Sequence, residues 1–155
     1  MRNQITNILA ATIITVVLQL VSCTPESCLE ESVARIKVPF YLSSTQRIKA
    51  PDSLTIFGLN TGSKKIYNAS KNVSRAELPL NPSAENCGFV LRINGTFDTI
   101  LLVYDSYPHL ISRECGYTYY HTLDSLSYTK NIIDTIIIRK RFITTVNEEN
   151  FRIFY

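Results

Sequence analysis

Residues Cys87 to Tyr104 leave the chain few alternatives. Asn94-Gly95 supplies the two residues tolerant of positive φ that a two-residue type I′ turn demands, and apolar residues alternate with other residues on both sides of it. That turn sets a register of Ile93 opposite Thr96, Leu91 opposite Asp98, Phe89 opposite Ile100 and Cys87 opposite Leu102. Cys87, Phe89, Leu91, Ile93, Ile100 and Leu102 then share one face, which Tyr104 extends. Such a face has to be covered by another layer, because a two-stranded ribbon does not hold its own apolar side out of water.

The remaining segments carry strand patterns of the same kind. Ala34, Ile36, Val38, Phe40 and Leu42 recur with a period of two, which predicts a half-buried strand, and Pro39 predicts that it lies at an edge or beside a bulge. Ser53 to Leu59 reads as a strand, Lys64 to Ser74 as a loop with a short strand at Ile66-Tyr67, and Ala76, Leu78 and Leu80 as another strand stopped by prolines. Ser106 to Arg113, with Pro108 and His109, is expected to be a loop. Cys115 to Leu123 follows as a strand carrying Cys115, Tyr117, Tyr119 and His121 on one side. Asp134 to Arg139 is apolar on both faces and predicts a central strand, and Phe142 to Val146 with Phe151 to Tyr155 predicts a last hairpin. No stretch after the N-terminal segment holds a 3.6-residue period, so the expected fold is all-β, an antiparallel β-sandwich immunoglobulin-like or transthyretin-like in outline.

The N-terminus has a different character. Met1-Arg2-Asn3 precedes an apolar run, Ile5 to Leu20, that is too short and too interrupted to span a bilayer. It ends in Leu20-Val21-Ser22-Cys23, which resembles a bacterial lipobox. The expectation is a lipoprotein signal peptide over 1–22, a lipidated Cys23 with a short tether over 23–27, and one β-sandwich domain over 28–155. Five residue steps separate Cys23 from Cys28, at most about 17–18 Å of extended chain, so the domain is expected close to the membrane. A longer tether or an acidic export signal is lacking, which favours the periplasmic face of the outer membrane.

An oxidising compartment then bears on Cys28, Cys87 and Cys115. The preferred pair is Cys28–Cys115, closing a loop of roughly 88 residues worth about 4–5 kcal/mol by chain entropy. Its rival is Cys87–Cys115, since Cys87-Gly88-Phe89 and Cys115-Gly116-Tyr117 repeat the same Cys-Gly-aromatic opening.

Chemistry-bearing patterns are sparse. There is no Gly-x-Ser-x-Gly, His-Glu-x-x-His, phosphate-binding glycine loop or Cys-x-x-Cys. His109, His121 and Cys115 are the candidate metal ligands, but Cys115 and His121 stand roughly 20 Å apart along a strand, so neither metal nor cofactor is expected. A net charge of +3 gives no field for nucleic acid. Asp105, His109, Glu114 and His121 are the candidate residues of a hydrolase, provided that the loop before Cys115 folds over the strand after it. All five aspartates precede Ser or Thr, and four continue with Leu or Ile, which resembles the O-glycosylation acceptor pattern of Bacteroidetes envelope proteins at Ser53, Thr99, Ser125 and Thr135. Strand entry alone also produces that triplet. Arg139-Lys140-Arg141 is expected to be a solvated turn, and Tyr117, Tyr119 and Tyr120 are candidate sugar-stacking residues.

Cys23, Cys28, Ser53 to Gly58, Leu78-Pro79-Leu80-Asn81-Pro82 and Glu114-Cys115-Gly116-Tyr117 together make residues 20–155 similar to a family of small Bacteroidetes lipoproteins with a domain of unknown function. The resemblance implies a lipobox, a β domain and the Cys28–Cys115 pairing, and Cys87 departs from its pattern. It implies no activity. The expected role is a membrane-anchored, non-enzymatic binding or scaffolding module for an envelope protein or glycan, with the hydrolase as its alternative.

Overall fold

The computed structural model describes residues 28–61 and 64–155. The expected signal peptide and lipobox, including Cys23, lie outside the described residues. Eleven strands follow in order: β1 (Arg35–Leu42), β2 (Arg47–Ile48), β3 (Leu54–Gly58), β4 (Lys65–Ser70), β5 (Arg75–Pro79), β6 (Asn86–Ile93), β7 (Thr96–Ser112), β8 (Gly116–Tyr128), β9 (Thr135–Ile138), β10 (Phe142–Ile143) and β11 (Phe151–Phe154). They form two sheets, one ordered β2-β1-β11-β9 with β5 also on β1, the other ordered β10-β8-β7-β6-β3-β4. All pairs are antiparallel except β1 with β11. The sheets close on one apolar core, to which Ile36, Phe40, Phe151 and Ile153 contribute from the first and Leu54, Ile56, Leu91, Ile100 and Tyr104 from the second. The chain is an all-β sandwich.

The Asn94-Gly95 hairpin takes the register that its turn dictates, from Ile93 opposite Thr96 to Cys87 opposite Leu102. Both turn residues have positive φ, 50° and 97°. Phe89, Leu91, Ile93, Ile100, Leu102 and Tyr104 are buried, with Cys87 partly so.

Four local expectations are overturned. Ser106 to Arg113 is no loop, because β7 continues to Ser112 and pairs Pro108 with Tyr119 and His109 with Thr118. The Tyr104 amide donates to Glu85 on the β6 side, so the amide that Pro108 lacks points the same way, past the end of β6 where no neighbour needs it. β1 is not a half-buried edge strand, since Ile36 to Tyr41 are buried and the strand lies between β5 and β11. Pro39 falls between Lys37, whose backbone is held by Asn150, and the Phe40–Tyr41 pairing with β11. β9 is an edge strand rather than a central one, and its side chains alternate between exposed and half-buried. Nor do β10 and β11 make a hairpin: β10 pairs with β8 in one sheet, and β11 with β9 and β1 in the other.

Arg139-Lys140-Arg141 is the exposed turn expected of it, and Arg141 also braces β8 from there. In β8 Asp124 is an extra residue, a bulge between the Val103–Ser125 and Tyr104–Leu123 pairs, and the Arg141 guanidinium donates to the carbonyls of Leu123 (3.0 Å) and Asp124.

Candidate functional site

A cavity of about 900 Å³ opens where the β3–β4 and β5–β6 connections meet the start of β6 and the middle of β7. Its formation follows from Gly88. The amide of Leu59 donates to the Gly88 carbonyl at 2.7 Å, which folds the Leu59 side chain over β6 beside Leu101. A Cβ on residue 88 would come within 3.0 Å of both leucines, so glycine is what lets them approach the strand. Thr61 steadies the turn by donating its hydroxyl to the Gly58 carbonyl at 2.8 Å.

The opposite wall is held by Tyr104. Its buried hydroxyl donates to the carbonyl of Asn81 at 2.9 Å and accepts the amide of the same residue at 3.2 Å. Leu59, Ile66, Phe89, Leu101 and Val103 make the lining mainly apolar, with Asn86 and Ser127 as polar points and Arg35, Lys64 and Lys65 as cations around it. A concave apolar space with a few fixed polar groups suits an apolar or amphipathic ligand.

Cys87 also lines this cavity, and it is the free cysteine among the described residues. Burial pushes its thiol up to about 11, against a smaller opposing effect of its hydrogen bond with Tyr104. At neutral pH it is a thiol and a poor nucleophile.

Cys28 and Cys115 form the disulfide, with Cα atoms 4.8 Å apart. The Cys87–Cys115 alternative is thereby excluded, and Cys115 is unavailable to a metal. Among the described residues no group of three His, Cys, Asp or Glu side chains is placed to hold a metal ion.

The four hydrolase candidates are not gathered. Strand register puts Asp105 and His109 on one face of the β7–β8 ribbon and His121 on the other, and Glu114 is exposed in the turn. His121 is buried, with Nδ1 2.8 Å from the Ser106 hydroxyl and its ring edge-on to Tyr104. Burial lowers its pKa below the ordinary histidine value. His109 instead stacks on Tyr120 at 4.1 Å. The loop that was to bring these groups together is strand.

The four Asp-Ser/Thr-apolar triplets also separate by environment. Asp98 is buried, and its carboxylate accepts the Thr129 hydroxyl and the amides of Asn131, Ile132 and Ile133. Burial raises its pKa, but those four donors together bring it below the usual carboxylate value. Thr99 beside it is half-buried and bonded to Thr129. Ser53 is half-buried ahead of β3, whereas Ser125 at the β8 bulge and Thr135 at the start of edge strand β9 are exposed with their aspartates. Of the three tyrosines considered for sugar stacking, Tyr117 and Tyr119 share an exposed face, and Tyr120 lies on the other with its hydroxyl 3.2 Å from Thr145.

Neither the Gly88 cavity nor the Asp98 turn was visible in the sequence. The only available sign of the first was a glycine inside a strand pattern, which marks close approach by another group. No curated protein and no solved structure matches the chain. The family comparison begins at Ser53, inside the stretch of 20–155 expected from resemblance, and so leaves Cys23 and Cys28 outside it. Over residues 53–155 the chain matches, and belongs to, the Family of unknown function (DUF6452).

Proposed function

We propose that the protein is a cell-envelope lipoprotein, anchored through Cys23, that acts as a non-enzymatic binding module with its ligand seated in the cavity beside Gly88. The cavity carries this reading: it is large, its apolar lining comes from four strands and two connections, and its one sulfur nucleophile is held in the thiol form. An envelope protein that presents an apolar side chain, or an amphipathic glycoconjugate, matches that lining. Nucleic acid does not, because the net charge is only +3 and the three cations of the lining, Arg35, Lys64 and Lys65, stand among mainly apolar side chains.

The anchored placement rests on Leu20-Val21-Ser22-Cys23 and is supported by the Cys28–Cys115 disulfide, which suits an oxidising compartment. A tether of five residue steps favours the periplasmic face of the outer membrane of a Bacteroidetes-type host. In such a host Ser125 and Thr135 are the O-glycan acceptors that exposure supports best, and Ser53 and Thr99 are the less accessible ones.

Crosslinking and recovery from intact cells, with mass spectrometry of the intact product, tests the proposal. The expected result is diacylglycerol on Cys23 and a co-recovered partner or ligand that is lost on Gly88→Ala, whose Cβ pushes Leu59 and Leu101 off β6 and reshapes the cavity. Recovery of the lipoprotein alone, at native abundance and with an empty cavity, overturns the binding role.

A further inference from the structure

Beyond Ser106 and His121 the β7–β8 ribbon projects past β6 and β10 as a two-stranded arm that ends at Cys115. Its two faces differ. On one, Thr118 donates its hydroxyl to the Ser32 carbonyl at 2.7 Å, Tyr120 meets Thr145, and His109 stacks on Tyr120, so the chain covers its β8 side while Tyr107 and His109 of β7 stay exposed. The other carries Pro108, Leu110, Tyr117 and Tyr119, and there Leu110 is 48%, Tyr117 75% and Tyr119 47% exposed. Leu29, next to the disulfide, is 92% exposed.

We propose that the Leu110–Tyr117–Tyr119 face of this arm rests in the headgroup layer of the membrane that holds Cys23. The proposal depends on the lipid anchor put forward above. Its occupant is named by where the tether attaches: Cys28 is bonded to the arm's turn, and Cys23 lies five residue steps before it, at most about 17–18 Å away. A lipid on Cys23 therefore brings the arm, ahead of any other part of the sandwich, to the bilayer surface. Tyrosine is suited to that layer, since its ring enters the apolar boundary while its hydroxyl stays hydrated. Exposed Arg113 and Glu114 in the turn offset each other, so the contact is apolar and aromatic and does not require anionic lipid.

The chain contains no tryptophan, so a single introduced one reports on its own surroundings. Tyr117→Trp is placed in the full-length lipidated protein and reconstituted into phosphatidylethanolamine vesicles with brominated acyl chains, with and without phosphatidylglycerol. The expected result is a blue-shifted emission, most of it lost to bromine, at both lipid compositions. Phe97→Trp, exposed at the opposite end of β7, should keep its emission. Tyr119→Trp supplies a second reporter on the same face.

Unquenched emission at both 117 and 119, in protein whose intact mass shows diacylglycerol on Cys23, overturns the arm contact and leaves the anchor standing. A bare Cys23 removes the anchor and the arm contact together. Photocrosslinking from position 117 to a protein in intact cells, with no quenching in vesicles, assigns the face to a protein partner and overturns the lipid assignment.

Discussion

Asn150 holds Lys37 as a strand neighbour would: its amide donates to the Lys37 carbonyl at 2.9 Å, and its side-chain oxygen accepts the Lys37 amide at 2.8 Å. The same side chain donates to the carbonyl of Phe142 at 3.0 Å, and its own carbonyl accepts the amides of Arg139 and Lys140. One buried residue thus ties β1 to the connections on either side of β10, close to where the chain crosses between sheets. Asn150→Ala removes partners from a buried amide and a carbonyl at once, and the expected cost is about 2–4 kcal/mol. Urea unfolding monitored by circular dichroism checks it, and a midpoint unchanged from the parent counts against this role.

Tyr104 links stability to the shape of the cavity. Tyr104→Phe keeps the buried ring and removes both bonds to Asn81, an exposed residue whose freed backbone groups can turn to water. The expected loss is therefore modest, about 1–2 kcal/mol. Hydrogen exchange should accelerate in residues 79–86 and stay slow in β7. Uniform acceleration across both sheets would show instead that the hydroxyl supports the whole core.

Two buried groups set the response to acid. His121 has its folded pKa lowered by burial, so the unfolded chain takes up a proton first as pH falls below about 6.5. Stability from this group is full above that value and declines towards the lower folded pKa. Asp98, also lowered in the folded state, contributes fully above about 3.9 and loses its contribution as pH drops further. The unfolding midpoint should thus fall in two separate steps. His121→Gln should remove the upper step alone, and Asp98→Asn should remove the lower one along with some stability at pH 7. A profile unchanged by His121→Gln would contradict the first assignment.

The legible part of the fold was the part encoded locally. Asn94-Gly95 determined a turn, and the turn determined eight register pairs and one core face, because a two-residue connection leaves no slack. Sheet order was not legible. The Ile136 to Ile138 run looks the same in a central strand as in an edge strand that packs one face, and nothing local tells Phe151 to Phe154 to pair in parallel with β1. Pro108 suggested a loop because its harmlessness depends on where β6 stops. Asn150 read as turn material for the same reason, its partner being 113 positions away. The cavity was hidden because an absent side chain at Gly88 becomes a feature only once Leu59 is laid over it. Even so, the two-residue period of β8 puts His121 on the same face as Tyr117 and Tyr119, and that parity is what separates His121 from His109.

The Cys28–Cys115 bond joins a lightly held N-terminal segment to the tip of the arm. Residues 28–33 are exposed, and their one side-chain hydrogen bond from the body is that of Thr118 to Ser32. Replacing both cysteines with serine frees an unfolded-state loop spanning 87 positions, for which chain entropy sets a ceiling of about 4–5 kcal/mol. The measured loss should lie below that ceiling, because the folded protein regains the freedom of residues 28–33. Leu29 to Val33, exposed and without amide hydrogen bonds, should exchange fast in either form, while protection should persist from Ile36 onward, where β1 is held by β5 and β11. If protection in β1 vanishes, the disulfide is part of the core's support. If it persists, the bond's work is to fix the arm beside the tether, the arrangement on which membrane contact through Tyr117 depends.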